Sequence, residues 1–146
     1  MDTENRSFSE KMKLSYNPTT PKNILCDLAQ DESWSIRYNV AINPNTPQDI
    51  LGQLSKDTDG GVRRHVAENK NTLEDTLLDL VQDKNWFIRL KLSKNPNISS
   101  KIIISLYEYE KSLKKPDRII IRVLYKHSKL PHIAKVIIKT LYGEML

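Results

Sequence analysis

The chain has 146 residues, 38% of them hydrophobic, a net charge of +5 and a single cysteine. This length and apolar content suit one domain with a continuous core, and one cysteine excludes an internal disulfide framework. The polar, acidic start MDTENRSFSE does not fit a signal peptide, and the longest apolar runs, such as KIIISLY, are far too short to span a bilayer. We therefore expect a single domain over residues 1–146, located in a cytoplasm and without a membrane partner.

A period of 26 residues runs through most of the chain. NPTTPKNILCDLAQD at 17–31 returns as NPNTPQDILGQLSKD at 43–57, and EKMKLSYNP at 10–18 matches IRLKLSKNP at 88–96, so a half unit precedes the first complete one. The same spacing connects Asn17, Asn43, Asn69 and Asn95. Such periodicity is typical of repeat architectures, in which stacked units bury a shared core.

The first part of each unit predicts a turn followed by a short helix. Asn-Pro disfavours helix at its asparagine, and the asparagine side chain bonds nearby backbone in turns. We expect the threonines of the turns to cap the helix, with the next proline at its first position. The apolar residues then fall on one helical face. The members of these sets are Thr20, Thr46 and Thr72, then Pro21 and Pro47, then Ile24, Leu25, Leu28, Ile50, Leu51 and Leu54.

The second part of each unit predicts another turn and a second helix. The turn lies at Asp31, Asp57 and Asp83, and the apolar residues after it recur with a spacing of four. Trp34 and Trp86 share one position of this helix. We expect the two rings to pack between units, although exposed rings could stack on a ligand.

The C-terminal part departs from the period. EKSLKKPD at 110–117 predicts an inserted loop, after which RIIIRVLYKHSK resumes the second helix, with Ile121-Arg122 in the places of Ile36-Arg37. Residues 118–146 then predict atypical capping helices, as expected at the end of an array.

The consensus of the units carries a family resemblance. N-P-x-T-P-x-x-I-L-x-x-L-x-x-D, followed by V/I-R, resembles the leucine-rich repeat variant (LRV) family, within the HEAT-like helical repeats, over residues 11–109. The resemblance implies an all-α fold: a right-handed α-α superhelix, or solenoid, of about four two-helix repeats, with an N-terminal half repeat and C-terminal capping helices. It also implies a bacterial source. Some family members hold an iron–sulfur centre in a cysteine cluster, which one cysteine does not match, so we expect no cofactor.

Two sets of basic residues invite different interpretations. Each aspartate of the turns precedes an arginine by six residues, and we interpret this series as a structural ladder: the aspartates cap the second helix, and the arginines bridge to neighbouring turns. Lys11 occupies the arginine position of the half unit. The ladder comprises Asp31, Arg37, Asp57, Arg63, Asp83 and Arg89.

The second set lies in the C-terminal part, where residues 101–146 hold 10 Lys and Arg against 4 Asp and Glu. Arg118, Arg122 and Lys126 recur every four residues as one helical stripe, with Lys115 nearby. The stripe is either a contact for phosphates or an acidic partner, or a solvated face. Arg122 also counts as the arginine of its unit.

Partner binding is expected where the repeats differ. The variable positions after each ladder arginine are candidates for an inner groove that changes from polar to basic: Tyr38, Asn39, Arg64, His65 and Lys91. Ordinary surface variation explains them equally well.

Catalytic and metal chemistry lack a supporting pattern in the sequence. No histidine is spaced to act as a base for Cys26, and the three histidines have no metal-ligand spacing. We therefore predict a non-enzymatic scaffold that binds a macromolecular partner, a protein in the first place, through its curved surface. The alternative is a nucleic-acid-binding protein that uses the basic C-terminal helices and the Arg and Lys residues of the groove.

Overall fold

The computed structural model describes residue 3 and residues 5–143, and its regular structure there is helical, without a strand. The expected all-α class is confirmed. A 3₁₀ turn, Leu80–Gln82, extends the sixth of ten α-helices. The helices are α1 Phe8–Tyr16, α2 Lys22–Leu28, α3 Trp34–Ile42, α4 Gln48–Leu54, α5 Gly60–Glu68, α6 Glu74–Asp79, α7 Trp86–Ser93, α8 Ser100–Ser112, α9 Arg118–Lys126 and α10 His132–Tyr142. The last three residues of the predicted cap, 144–146, lie outside the described residues.

The odd-numbered helices α1 to α9 contact one another in chain order, each packing on the next odd helix. The even helices lie beside them, with α2 on α3, α4 on α5 and α8 on α9. The core runs between the two sets. Ile36, Val62, Ile88 and Ile120 occupy the same helical position in four odd helices, and all four have no exposed surface. The period thus places one side chain per unit in a continuous core.

The caps of the even helices differ from the prediction. Pro21, Pro47 and Leu73 are the N-cap residues of α2, α4 and α6, so the prolines lie one position before the helix. The preceding threonine does not cap the helix that follows. The Thr46 hydroxyl donates instead to the Val40 carbonyl of α3 at 2.6 Å, and Thr20 and Thr72 do the same in their units. Each threonine therefore closes the C-terminal end of the helix before it.

The caps of the odd helices also differ from the prediction. Asp31, Asp57 and Asp83 lie two residues before the N-caps, which are Ser33, Asp59 and Asn85. Each of the three aspartates accepts a hydrogen bond from the backbone N–H of its N-cap residue. The aspartates therefore shape the turn, and the N-cap position falls two residues later.

The asparagines connect successive units. The Asn43 Nδ2 donates to the Ser15 and Asn17 carbonyls, and Asn69 repeats this toward Ala41 and Asn43. Because Asn43 is 2% exposed, these bonds satisfy backbone groups that water does not reach. The asparagines act within their turns, as predicted, and also between units.

The C-terminal part follows the repeat with one longer helix. Residues 110–112 of the predicted loop continue α8, so the loop is limited to 113–117. Counted from the N-cap Asp117, the repeat's arginine position falls on Ile121, which is fully buried, and Arg122 lies one position later. The interpretation of Arg122 as the arginine of its unit is therefore wrong.

His127 takes the place of the repeat's asparagine at the turn before α10. Its Nδ1 accepts the backbone N–H of Lys129 at 3.2 Å, as the Asn69 Oδ1 accepts that of Asn71 at 2.9 Å. The Lys129 Nζ donates to the Pro96 and Ile98 carbonyls. This turn attaches α10, which buries Ile138 and exposes four aliphatic side chains: Ile133, Val136, Ile137 and Leu141.

Candidate partner-binding surface

The ladder residues bridge successive units. Lys11 pairs with Asp31 at 2.9 Å, and Arg37 with Asp57 at 2.6 Å. Arg63 pairs with Asp83 at 2.7 Å, and Arg89 with Glu110 at 2.6 Å. The arginines also donate to backbone carbonyls of their own turns, as in the 2.7 Å bond from Arg63 Nη1 to the Asp57 carbonyl. With their donors turned inward, these arginines do not form a track for phosphates.

We call each ion pair of the ladder a rung. In the rungs formed by Arg37 and Arg63, the pairing shifts the pKa values of both side chains. Burial by itself would raise the pKa of the Asp57 carboxyl, but hydrogen bonds from Arg37 and from the Asp59 backbone outweigh it and hold that pKa below its ordinary value. The pKa of Asp83 is lowered in the same way by Arg63 and Asn85. The Asp57 bond in turn raises the pKa of Arg37. Both partners of these rungs therefore stay charged at neutral pH.

The odd helices share a common face that is mostly accessible to solvent, with Leu90 as a buried exception, and we call it the odd-helix face. It consists of the first, fifth and ninth positions after each N-cap, which share one side of a helix. From α1 to α9 these positions are Phe8, Met12 and Tyr16; Trp34, Tyr38 and Ile42; Gly60, Arg64 and Glu68; Trp86, Leu90 and Lys94; and Arg118, Arg122 and Lys126. Tyr38 and Arg64 of the first set of binding candidates, and Arg118, Arg122 and Lys126 of the second set, thus share this face.

The two tryptophans are exposed members of this face. Trp34 is 55% exposed and Trp86 is 46% exposed, so the prediction that they pack between units is wrong. Each ring stands at the first position of its helix and makes a T-shaped contact with one neighbouring ring, Tyr38 or Phe87 respectively. Between them, α5 has Gly60 at the same position. Gly60 therefore adds no side chain to the face between the two rings.

A polar network joins α3, α5 and α7 at the centre of the face. The Arg64 guanidinium lies between the Tyr38 and Phe87 rings, 5.9 and 5.8 Å from their centroids. Its Nη2 donates to the Tyr38 hydroxyl at 3.2 Å and to the His65 Nε2 at 2.7 Å. The Arg64 Nε is buried and lacks an acceptor among the described residues. Arg64 thus mainly connects the three helices.

His65 and Lys91 complete this network through Glu68. The His65 Nδ1 lies 3.0 Å from one carboxylate oxygen of Glu68, and the Lys91 Nζ lies 2.6 Å from the other. Burial and then the Arg64 charge lower the pKa of His65. The imidazole is therefore neutral at pH 7, with its proton on Nδ1 and Nε2 accepting from Arg64. With His65 neutral, Glu68 offsets one of the two positive charges of Arg64 and Lys91, so this network keeps a net positive charge.

The remaining candidates divide between helix contacts and open surface. Asn39 donates to the Ser15 hydroxyl of α1 at 3.1 Å and acts between helices. Arg118, Arg122 and Lys126 are exposed along α9, and Lys115 is exposed in the preceding loop. The structure thus brings together Tyr38, Arg64, His65 and Lys91, of which Tyr38 and Arg64 lie on the odd-helix face. It places the α9 stripe at the far end of that face.

Sequence reasoning missed the N-terminal end of the face. Phe8 and Tyr16 are 59% and 73% exposed and occupy the positions of Trp34 and Ile42. A signal existed: Ser7 and Glu10 form a capping box, with the Ser7 N–H donating to the Glu10 carboxylate at 2.9 Å. That motif fixes the start of α1 at Phe8 and hence its register with α3.

The face changes character along the array. All six positions on α1 and α3 are uncharged, and all three on α9 are basic. The helices between them carry both kinds, with Arg64 and Glu68 on α5 and Trp86 and Lys94 on α7. The arrangement is suited to binding, because it offers large apolar side chains at one end and positive charge at the other.

Nucleophilic and metal-binding groups are sparse in the part of the chain that the structure describes. Cys26 is half-buried in α2, where burial and then Asp49 and Asp27 raise the pKa of its thiol, so the sulfur is protonated at neutral pH. No set of three His, Cys, Asp or Glu side chains in residues 3 and 5–143 is arranged to hold a metal ion. None of the helices described there has the length and apolarity to cross a membrane.

Comparison with known proteins gives no relative: no family model, no curated protein and no solved structure matches this chain.

Proposed function

We propose that this protein is a non-enzymatic helical-repeat scaffold that binds a protein partner through the odd-helix face. The proposed architecture is a right-handed α-α superhelix of LRV type. It is supported by the 26-residue period, by the serial contacts of the odd helices and by the resemblance of residues 11–109 to that family. In this arrangement the outward positions of successive helices form one continuous surface.

The observation that carries the proposal is the row of exposed aromatic side chains on this face. Phe8, Trp34 and Trp86 occupy the same position on three helices and are 59%, 55% and 46% exposed. Tryptophan, tyrosine and arginine dominate the binding energy of protein interfaces. Single exposed apolar residues are ordinary, whereas exposed aromatic side chains that recur at one repeat position favour a binding surface.

Site-specific photo-cross-linking tests the proposal. The photoreactive residue p-benzoylphenylalanine replaces Trp34 on the odd-helix face and, as the matched control, Asp27 on the exposed side of α2. After irradiation in a lysate of the source organism, we expect a discrete protein adduct from position 34 only. Equal adducts from both positions, or none from position 34, would contradict the proposal.

Nucleic acid is the second candidate partner. The observation in its favour is that Arg118, Arg122 and Lys126 continue the positions of the exposed aromatic residues, since basic and stacking side chains together bind single strands. Binding of a mixed-sequence single strand and duplex is measured at two salt concentrations, with a charge-reversal variant of these three residues. Tight binding that falls steeply with salt and is lost in the variant would favour nucleic acid over protein.

A further inference from the structure

We infer that the partner segment on the odd-helix face is apolar where it crosses α1 and α3 and acidic where it crosses α9. This inference rests on the proposed function and specifies the chemistry of its ligand. It follows from the polarity of the face, whose two ends lie at opposite ends of the array of odd helices.

The first end is apolar. The six face positions on α1 and α3 carry aromatic or aliphatic side chains, and four of them are at least 40% exposed: Phe8, Tyr16, Trp34 and Ile42. Removal of these surfaces from water favours binding, and no face position there supplies a charge for a phosphate or carboxylate to pair with. A partner segment gains affinity here only through apolar side chains.

The other end is positively charged. The three face positions on α9 are exposed and basic, the preceding loop adds Lys114 and Lys115, and the single acidic residue in 113–143 is Asp117. Asp117 is occupied as the N-cap of α9, where its side chain accepts from the Ile119 and Ile120 N–H groups. The local field therefore favours carboxylates on the partner.

The middle of the face carries less positive charge than α9. Glu68 pairs with Lys91 at 2.6 Å, and Arg64 is held between the Tyr38 and Phe87 rings. Glu68 thus offsets one of these two positive charges, and Lys94 adds an exposed positive charge at a face position of α7. The positive charge of the face therefore begins on α5 and α7 and is largest on α9, where all three face positions are basic.

Two other occupants fit this pattern less well. Phosphates are spaced evenly along a nucleic-acid strand and call for basic residues along the whole face. A second copy related by a two-fold axis places the basic end either on itself or on the apolar end, because the same patch serves both subunits. Neither arrangement is complementary, whereas a protein segment can be apolar at one end and acidic at the other.

The array also sets the length of the segment. Five helices at the usual interaxial spacing of about 8–10 Å span roughly 32–40 Å. An extended segment covers this distance with about 10–12 residues, and a helical one needs about 21–27.

Cross-linking with peptide mapping tests the inference. The photoreactive residue replaces Trp34 in one protein and Lys126 in another, and the cross-linked residues of the partner are identified by mass spectrometry. We expect both positions to label one polypeptide, with position 34 on an apolar stretch and position 126 on an acidic stretch. Labelling of a stretch without acidic residues from position 126, or a nuclease-sensitive adduct, would overturn the inference.

The same experiment distinguishes this inference from the proposed function. If neither position gives an adduct, the proposed function itself fails; if adducts form on stretches of the wrong chemistry, only the inference fails.

A matched pair of double variants adds a quantitative test. The first is Arg118→Gln with Lys126→Gln. The control is Lys22→Gln with Lys56→Gln, which removes the same charge from the exposed side of α2 and from the turn after α4.

Removing two exposed charges from the interface is expected to weaken binding of the identified partner about threefold to tenfold at low salt. The control pair should leave the affinity unchanged, and the difference should shrink at high salt. Equal affinities of the two variants at low salt would contradict an acidic contact at α9.

Discussion

The most buried rung of the ladder provides a quantitative test of how this fold is held together. Glu110 has a fully buried side chain and Arg89 one that is 6% exposed, and Arg89 Nε lies 2.6 Å from the Glu110 Oε1. The second carboxylate oxygen of Glu110 accepts the Asp117 N–H at 3.0 Å. Glu110 therefore neutralises a buried guanidinium and also fixes the loop that leads into α9.

Substitution Glu110→Ala removes both functions at once. Breaking a buried ion pair by removing one partner costs about 3–5 kcal/mol, because the remaining charge stays buried and unpaired. The part-buried Asp117 N–H loses its acceptor as well, at a further cost of about 1–3 kcal/mol. Since the two losses share one side chain, we expect a total nearer to 5 kcal/mol than to their sum.

Two control variants separate charge burial from simple loss of contacts. Lys11→Ala breaks the most exposed rung, whose side chains are 21% and 12% exposed, and should cost about 1 kcal/mol or less. The double variant Arg89→Met with Glu110→Met removes both charges, so it should be more stable than Glu110→Ala alone.

The free energy of unfolding is measured by urea titration, followed by far-ultraviolet circular dichroism and by tryptophan fluorescence. Coincidence of the two signals checks that unfolding is cooperative across the array. A cost of Glu110→Ala no larger than that of Lys11→Ala, or a double variant less stable than the single one, would refute the argument from burial.

Three further predictions concern pH and the exposed face. Hydrogen bonds from Arg37 and from the Asp59 backbone hold the pKa of Asp57 below its ordinary value of 3.8, so this ion pair contributes its full stability above about pH 4 and loses it on further acidification. Asp57→Asn should therefore reduce the loss of stability on acidification, measured as acid unfolding by circular dichroism. Burial and then Lys129 and Lys135 lower the pKa of His127, so the contribution of this residue to stability is complete above about pH 6.5 and decreases at lower pH. His127→Asn should remove this decrease in melting experiments between about pH 7.5 and 5, and an unchanged pH profile would contradict the prediction. Trp34→Ala should cost about 1 kcal/mol or less because the ring is 55% exposed, whereas Leu51→Ala at a fully buried site should cost about 2–5 kcal/mol; similar urea midpoints for the two would show that Trp34 is buried in solution.

The 26-residue period predicts which residues form the ladder, but not which polar residues cap the helices. A repeat of 26 residues fixes which residues are equivalent, and an aspartate six positions before each arginine is sufficient to suggest bridging between turns. It does not say which of several polar residues caps a helix. Asp57 and Asp59 are both suitable N-caps by residue type, and only the backbone decides that Asp59 caps α5 and Asp57 shapes the turn.

The period also does not predict whether the side chain at a repeat position is buried or exposed. Trp34 and Trp86 are equivalent by spacing, but this spacing is compatible with two packed rings as well as with two exposed ones. Their exposure follows from their place at the first position of α3 and α7, on the side of the helix away from Ile36 and Ile88. The start of each odd helix therefore had to be known before these rings could be placed on the surface.

The insertion displaced the predicted register of α9 by one residue. Matching Ile121-Arg122 to Ile36-Arg37 preserved the sequence pair, but the N-cap at Asp117 places Ile120 at the core position and Ile121 at the arginine position. Arg63 requires the carboxylate of Asp83 in the following turn as its ion-pair partner. The apolar Ile121 requires no such partner. The shift also moves Arg122 from the ladder to the odd-helix face, where it joins Arg118 and Lys126.

Neighbouring residues of one helix serve stability and binding separately. In α5, Arg63 is 9% exposed and bound to Asp83, while Arg64 lies one position further round the helix, on the odd-helix face. Successive residues are about 100° apart, so one side chain turns to the ladder and the next turns outward. Exposed face positions such as Trp34 and Lys126 can therefore vary with little effect on the core. A loss of binding in variants at those two positions, with the unfolding free energy unchanged, can be attributed to the surface itself.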